Sequence, residues 1–289
     1  MRKQYSYAHL WLALTVLFCY SATVAYSQNI ITGSFNIRYD NPGDAGNLWI
    51  DRAPIVAGLI RFHDFDIIGT QEVLKNQLTY LEQALPEYSH CGVGRDDGKY
   101  AGEHAAIFFR KSRFALIANG DFWLSETPEK PSIGWDAKCC KRICSWAKLK
   151  DVTTAKTIWV FNVHYDHEGK VARLESSKLL VQRIKMLAGN ENVVLTGDFN
   201  DVRDSPCYQV ITKSGFLTDT YIATAKQNIA ENNPTFHGFG KLITEKKVID
   251  HIFVSGNFRV KKWGILTDTY YGKYPSDHFP VLTELIYNE

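Results

Sequence analysis

With 289 residues, 45% hydrophobic and 22% charged, the chain has the composition of an ordinary globular protein long enough for a large core, which excludes a disordered or fibrous chain. Its formal charge of +2 falls to 0 once residues 1–27 are set aside, because they carry Arg2 and Lys3 and no acid. Near-neutrality excludes the whole-molecule basic field of a tight, nonspecific nucleic-acid binder and leaves room for a local basic patch.

In chain order, Arg2 and Lys3 come first, followed by an apolar stretch from Leu10 to Val24 and then Ala25-Tyr26-Ser27. That order reads as a secretory signal peptide, with cleavage leaving Gln28 at the new N-terminus. The apolar run is shorter than the ~20 residues of a spanning helix, and no later segment is more apolar. The expectation is export to the periplasm or the extracellular space, with no stable membrane insertion after cleavage. Residues 28–289 then read as one domain, since no repeat, low-complexity tract or Pro/Ser-rich linker interrupts them.

Strand-like runs, rich in Val, Ile, Phe, Tyr and Thr and bounded by Gly, Asn, Asp or Pro, recur at 30–39, 66–73, 104–111, 157–166, 192–200, 248–256 and 280–287. Between them, 52–63 reads as a helix with Asp51 as N-cap, and 168–188 as a helix with Glu168 in its first turn. A short capped helix follows Ser205-Pro206. The Gly/Trp-rich stretch 119–144 reads as irregular. Strand pairs without an intervening helix, such as 145–150 and 157–165, point to antiparallel hairpins inside an α/β domain.

The cysteines beyond residue 27 are Cys91, Cys139, Cys140, Cys144 and Cys207, an odd number. The cluster "CCKRIC" reads as loop thiols, free or paired locally. A soft-metal site would need more, since zinc takes four ligands and no second Cys/His pair stands at a familiar spacing.

The strands end in an unusual way. Apolar runs lead directly into Asn36, Gln71-Glu72, His164, Asp198 with Asn200, and Asp250, while Ser276-Asp277-His278 precedes the last run. A lone buried carboxylate costs several kcal/mol unless it is paired or bound to a metal, on the order of magnitude of other unpaired buried charges. One such site is a strand-end turn; a whole series points to side chains converging on a cleft at one edge of the sheets. Oxygen-rich donor sets without a Cys/His quartet suit hard cations such as Mg²⁺ or Mn²⁺. A His beside a carboxylate can activate water, and with a hard metal that chemistry suits attack on phosphorus.

On the pieces "SFNIRYD", "GTQE", "FNVHYDH", "LTGDFND", "VIDHIFVS" and "PSDHFP", in that order over nearly the whole of residues 28–289, the chain resembles the endonuclease/exonuclease/phosphatase superfamily, with the pancreatic deoxyribonuclease-like fold. "RYDNPGD", "GRDDG" and "FWLSETP" are similar to its secreted bacterial branch. The resemblance implies a four-layered α/β sandwich of two mixed sheets, face to face, with helices outside. It implies Glu72 as principal metal ligand, with Asn36 and Asp277 close to the metal. His278 would be the general base, oriented by Asp250. Asp198 would position the water or share a second metal site. Asn200 would hold a phosphoryl oxygen, and His164 would contact the phosphate and protonate the leaving oxygen.

Other polar residues have two readings each. Arg95 in "GRDDG" is either a bidentate phosphate clamp or part of a surface turn. Asp166 and His167 line the cleft or form a solvated turn. Arg173 reaches the cleft or faces solvent. Trp123 and Trp135 stack on substrate or fill a loop. His251, next to Asp250 on a strand, points to the opposite face and is structural. The function implied is metal-dependent cleavage of phosphoesters, most simply phosphodiesters, with nucleic acid the family's commonest substrate and a monomer expected. Sugar phosphates, phospholipid headgroups, a non-catalytic binding module and a thiol enzyme built on Cys139–Cys144 are the alternatives.

Overall fold

In the computed structural model, residues 29–224, 226 and 233–288 are described; the segment 1–27, read as a signal peptide, lies outside them. The elements are β1 (Asn29–Asn36), α1 (Trp49–Phe62), β2 (Ile67–Val73), α2 (Lys75–Ala84), β3 (Tyr88–Cys91), β4 (His104–Arg110), β5 (Phe114–Trp123) and β6 (Ile143–Asp151). They continue with β7 (Thr157–His164), α3 (Lys170–Ala188), β8 (Asn192–Asp198), α4 (Pro206–Thr212), β9 (Leu217–Asp219), α5 (Thr220–Ala223), β10 (Asp250–Ser255), β11 (Phe258–Ile265) and β12 (Val281–Tyr287). Among the described residues they build two six-stranded sheets, ordered β11-β12-β1-β2-β4-β3 and β5-β6-β7-β8-β10-β9.

Each sheet is antiparallel except at its centre. There β1 runs parallel to β2 through the crossover α1, and β7 runs parallel to β8 through α3. In open α/β sheets the carboxyl ends of such parallel strands are where ligands bind. Here those ends carry Asn36 opposite Gln71 in one sheet and His164 opposite Asp198 in the other.

Period-2 alternation sorts the side chains into layers. Ile30, Ile67, Ile158, Val160, Val194, Ile252 and Val254 fill the space between the sheets. Phe35 and Ile68 turn outward against α1 and α2, and Phe161, Val163, Leu195 and Phe253 turn outward against α3 and α4. Followed along one face, the inter-sheet layer changes from apolar to polar: Ile30 gives way to Asn36, Val160 to Asn162 and His164, Val194 to Thr196 and Asp198, and Ile252 to Asp250. The four-layered sandwich expected from the motifs is therefore the fold observed. No helix among the described residues is long and apolar enough to cross a membrane.

Several local expectations need correction. Helix α1 begins three residues early, so Leu48 takes the N-cap position and Asp51 sits in the first turn. Helix α3 starts at Lys170 after the cap Gly169, leaving Glu168 outside it. Helix α4 is as read, with Ser205 Oγ accepting from the Tyr208 amide. The stretch 119–144 is not irregular throughout: β5 extends to Trp123 and β6 begins at Ile143. Cys144 accordingly lies in a strand rather than a loop, while Cys139 and Cys140 form a disulfide between adjacent residues.

Candidate active site

Strand β2 would send Glu72 to the outer face by simple alternation. Instead its pairing with β4 slips between Thr70 and Val73, and Glu72 takes a left-handed backbone with φ 62°. Such a bulge re-aims one side chain, and a left-handed non-glycine residue marks strain kept for a purpose. Arg38 (φ 59°) and Asn200 (φ 49°) share this conformation and line the same cavity.

Glu72 Oε2 accepts from the Tyr39 amide (3.1 Å) and Oε1 from Asn36 Nδ2 (3.0 Å). Asn36 Nδ2 also donates to Asp198 Oδ2 (3.0 Å), while its Oδ1 accepts from the Arg38 amide (3.0 Å). Asn36 thus turns its amino group toward the carboxylates. Its carbonyl does not face them, contrary to the expectation of a metal ligand. The Arg38 guanidinium is forked on Asp44 and stands 3.9 Å from Glu72 Oε2 and 3.7 Å from Asp277 Oδ2. Burial, and next to it the Glu72 charge, pushes the Asp277 carboxyl up to about 6 against the pull of His278, Arg38 and Arg52. Among the described residues, the two carboxylates share only the Arg38 guanidinium at ion-pair distance, and it is itself forked on Asp44. All-oxygen and partly buried, Glu72 and Asp277 fit a hard divalent cation.

Beside this pair, Asp250 Oδ2 lies 2.9 Å from His278 Nδ1, and His278 Nε2 lies 3.8 Å from Asp198 Oδ2. Ligand atoms of Asp198, Asp250 and His278 all fall within 4.8 Å of one another, so this trio could also hold an ion. The short Asp250–His278 contact favours a hydrogen-bonded acid–base pair. Burial opposes charge on His278, but Asp250, Asp198 and Asp277 outweigh it and push the imidazole up to about 10. Burial and the Asp250 charge together raise Asp198. His164 is the opposite case: burial, then the Arg142 charge, lowers it to about 3. In these surroundings a neutral, hydrogen-bonding ring is favoured, which suits the expected contact with phosphate better than proton donation to the leaving oxygen. Asn200 holds the turn after β8, its amide donating to Asp198 Oδ1 (2.9 Å) and its Nδ2 to the Tyr165 carbonyl (3.0 Å).

Glu72, Asp277, Asp198, His278, His164 and Asn200 line a cavity of about 550 Å³, within the range of small-molecule sites. Its walls add residues that strand-end reasoning missed: Glu103, Arg142, Cys140, Phe236 and Tyr39. Arg142 follows from the "CCKRIC" cluster, which drew attention for its thiols. It is nearly buried, donates from Nη2 to His167 Nδ1 (2.8 Å) and approaches Asp166.

Arg95 lines the cavity, but its fork is closed on Glu103 at 2.7 and 2.8 Å, which corrects the phosphate-clamp reading. Asp166 does not line it; the carboxylate accepts from the Glu168 and Gly169 amides and shapes the entry to α3, while His167 lines the wall. Arg173 is also elsewhere, tied to Asp201 Oδ2 (3.1 Å) and the Asp166 carbonyl (3.0 Å). Trp123 spends its indole N–H on the Arg95 carbonyl (2.7 Å). Trp135 is not among the lining residues. His251 faces the outer layer among Phe199, Tyr208 and Phe253. A thiol nucleophile is disfavoured: Cys139 and Cys140 are bonded to each other, and burial holds the Cys144 thiol well above its ordinary value.

The sequence model described as "Endonuclease/Exonuclease/phosphatase family" matches residues 33–278. A mannosyl-6-phosphatase from Bacteroides thetaiotaomicron superposes with TM-score 0.86 at 44% identity, covering 89% of this chain and 100% of that one. An endonuclease/exonuclease/phosphatase from Bacteroides vulgatus gives TM-score 0.86 at 41% identity, covering 90% and 99%. An uncharacterized protein of Acanthamoeba polyphaga mimivirus is 30% identical over 256 residues, 81% of this chain and 91% of that one.

Proposed function

Because the chain belongs to the endonuclease/exonuclease/phosphatase family and is a phosphoester hydrolase, we propose that it is a Mg²⁺- or Mn²⁺-dependent phosphatase of small phosphomonoesters, with sugar phosphates the favoured class. The observation that carries this reading is the cavity of about 550 Å³ above the acid–base cluster, walled by the Arg95–Glu103 pair and Arg142. A walled cavity suits a single small molecule better than a groove for a polymer. The mannosyl-6-phosphatase at 44% identity supports the same class.

Glu72 and Asp277 would hold the cation. When bound, it would offset charge on the phosphoryl oxygens and on the carboxylates that keep a proton on His278. The chain's own residues do the rest. Neutral His278 takes the proton of the attacking water at Nε2, and Asp250, fixed on Nδ1, stabilises the resulting imidazolium. Asp198, facing His278 Nε2, orients that water. Asn200 and the His164 ring donate hydrogen bonds to phosphoryl oxygens. The new oxygen–phosphorus bond forms as the bond to the alcohol breaks in line, and the leaving oxygen recovers a proton from solvent.

Export belongs to the same proposal. The Cys139–Cys140 disulfide supports it, because such bonds persist in oxidising compartments. The discriminating experiment is a substrate panel with Mg²⁺ or Mn²⁺: mannose 6-phosphate, p-nitrophenyl phosphate, bis-p-nitrophenyl phosphate and plasmid DNA. Release from both monoesters that stops with EDTA is expected. Cleavage of DNA or the diester in clear preference would replace the phosphatase reading with the phosphodiesterase one.

A further inference from the structure

Beyond His164 the cavity continues into a wall built for a different task. His164 bridges two groups of acids: its Nε2 lies 3.6 Å from Asp198 and its Nδ1 lies 3.6 Å from Glu103 Oε2. Glu103 therefore begins where the acid–base cluster ends. Its carboxylate is forked by Arg95, and no other protein donor reaches it among the described residues. Each carboxylate oxygen offers two acceptor positions, so one remains open on each. Arg95 Nε is buried without a partner, as is His164 Nδ1. Arg142, on the same wall, uses Nε and Nη2 within the protein and has no bond from Nη1.

The wall is also rigid. The Arg95 amide donates to the Glu103 carbonyl, Trp123 holds the Arg95 carbonyl, and Lys141 reaches across to the Asp96 carbonyl next to the disulfide. Locked supports of this kind are what fixed recognition needs.

The charge balance decides what this wall can read. A second phosphate or a carboxylate would meet Glu103 across an Arg95 that it already neutralises, beside an Arg142 held against Asp166, so an anion is disfavoured. An apolar group would strand the open acceptors and donors. A hydroxyl matches both, donating to a carboxylate oxygen while accepting from a guanidinium N–H. We propose that Arg95, Glu103 and Arg142 form the subsite for the alcohol half of the substrate, with Glu103 the specificity-determining residue that accepts hydrogen bonds from its ring hydroxyls. This rests on the phosphatase reading and narrows it to polyhydroxylated alcohols.

The test compares mannose 6-phosphate with p-nitrophenyl phosphate, which shares the phosphate and lacks the hydroxyls. In Glu103→Gln, the ratio of kcat/KM for the sugar phosphate over the aryl phosphate should fall about 10-fold or more, the size of a lost charge-assisted hydrogen bond. Arg95→Lys should move the ratio the same way. In the native enzyme, 2-deoxyglucose 6-phosphate, which lacks one ring hydroxyl, should lose a comparable factor. That arm stands even if a variant does not fold. Equal losses on both substrates would assign Glu103 to the phosphate through His164 and overturn the subsite. So would an unchanged ratio, or a native enzyme indifferent to the deoxy sugar. No metal-dependent release from either substrate by the native enzyme would instead overturn the phosphatase reading, and the subsite with it.

Discussion

His278 is clasped between two carboxylates on different strands: its Nδ1 lies 2.9 Å from Asp250 on β10, and its Nε2 lies 3.8 Å from Asp198 on β8. Asp250 and Asp198 are themselves directly paired across the ladder. The ring is therefore oriented from one side, and its Nε2 faces Asp198 on the other, where the proposed reaction would place the attacking water. Asp250→Asn should keep the geometry but present the wrong tautomer, lowering kcat by about 10²–10⁴-fold with little change in KM, as for a catalytic His–Asp pair elsewhere. His278→Ala should do at least as much. Steady-state kinetics on p-nitrophenyl phosphate check both, and full turnover in His278→Ala would remove the general-base assignment.

Glu72 and Asp277 compete for a single guanidinium that is already forked on Asp44. Mg²⁺ or Mn²⁺ should raise the melting temperature of the native protein, since a cation that binds only the folded state stabilises it. Glu72→Gln should weaken cation affinity by about 10-fold or more, in line with what metal-site substitutions cost. Calorimetric titration with MnCl₂ measures this directly; unchanged affinity would move the cation away from Glu72.

Beneath the cavity the sheets are joined by a buried polar bridge. Gln71 Nε2 donates to Asn162 Oδ1 (2.7 Å), Thr196 Oγ1 donates to the same oxygen (3.0 Å), and Asn162 Nδ2 donates to the Thr70 and Ala106 carbonyls. A Cβ on Gly69 would meet Thr196 Oγ1 at 2.1 Å and Asn162 Oδ1 at 2.5 Å. Gly69→Ala should therefore cost about 1–3 kcal/mol through overpacking. Asn162→Leu should cost about 3 kcal/mol or more by orphaning several buried groups. Urea unfolding reports both.

Much of this arrangement was legible in the sequence because alternation and strand ends obey local rules. Ile30 to Asn36, and Val194 to Asp198, spell out both the strand and the polar end that it delivers. His251 was readable as outward-facing for the same reason. What escaped depended on contacts distant in sequence. Asn36 was expected close to the metal, but its side-chain oxygen accepts from the Arg38 amide. Arg95 was read as a phosphate clamp or part of a surface turn, yet Glu103, on the far side of its loop, closes the fork. Arg142 carried no strand-end signature, and Arg173 was claimed by Asp201 on the turn after β8. Strand β5 was missed because it is an edge strand with one largely exposed face.

His251 is fully buried among aromatic rings, and burial lowers its imidazole to about 4 against an ordinary 6.5. Between those values the unfolded chain binds the proton that the folded one refuses, so stability rises with pH across that window and is lost as pH falls from 6.5 toward about 4. The contribution is on the order of 3 kcal/mol, from a shift of this size at 1.36 kcal/mol per unit. His251→Gln, which retains a donor for the Asp201 carbonyl, should flatten the urea midpoint between these limits. A slope unchanged by the substitution would assign the acid sensitivity to other groups.

In the proposed reaction, water activated at His278 attacks phosphorus only when a divalent cation is bound. Hydrolysis of mannose 6-phosphate in ¹⁸O-labelled water with Mg²⁺, read by mass spectrometry of the products, tests it most directly. A single ¹⁸O in the inorganic phosphate, none in the sugar, and no release in EDTA are expected. Label in the sugar hydroxyl, or release that continues at full rate in EDTA, would contradict it.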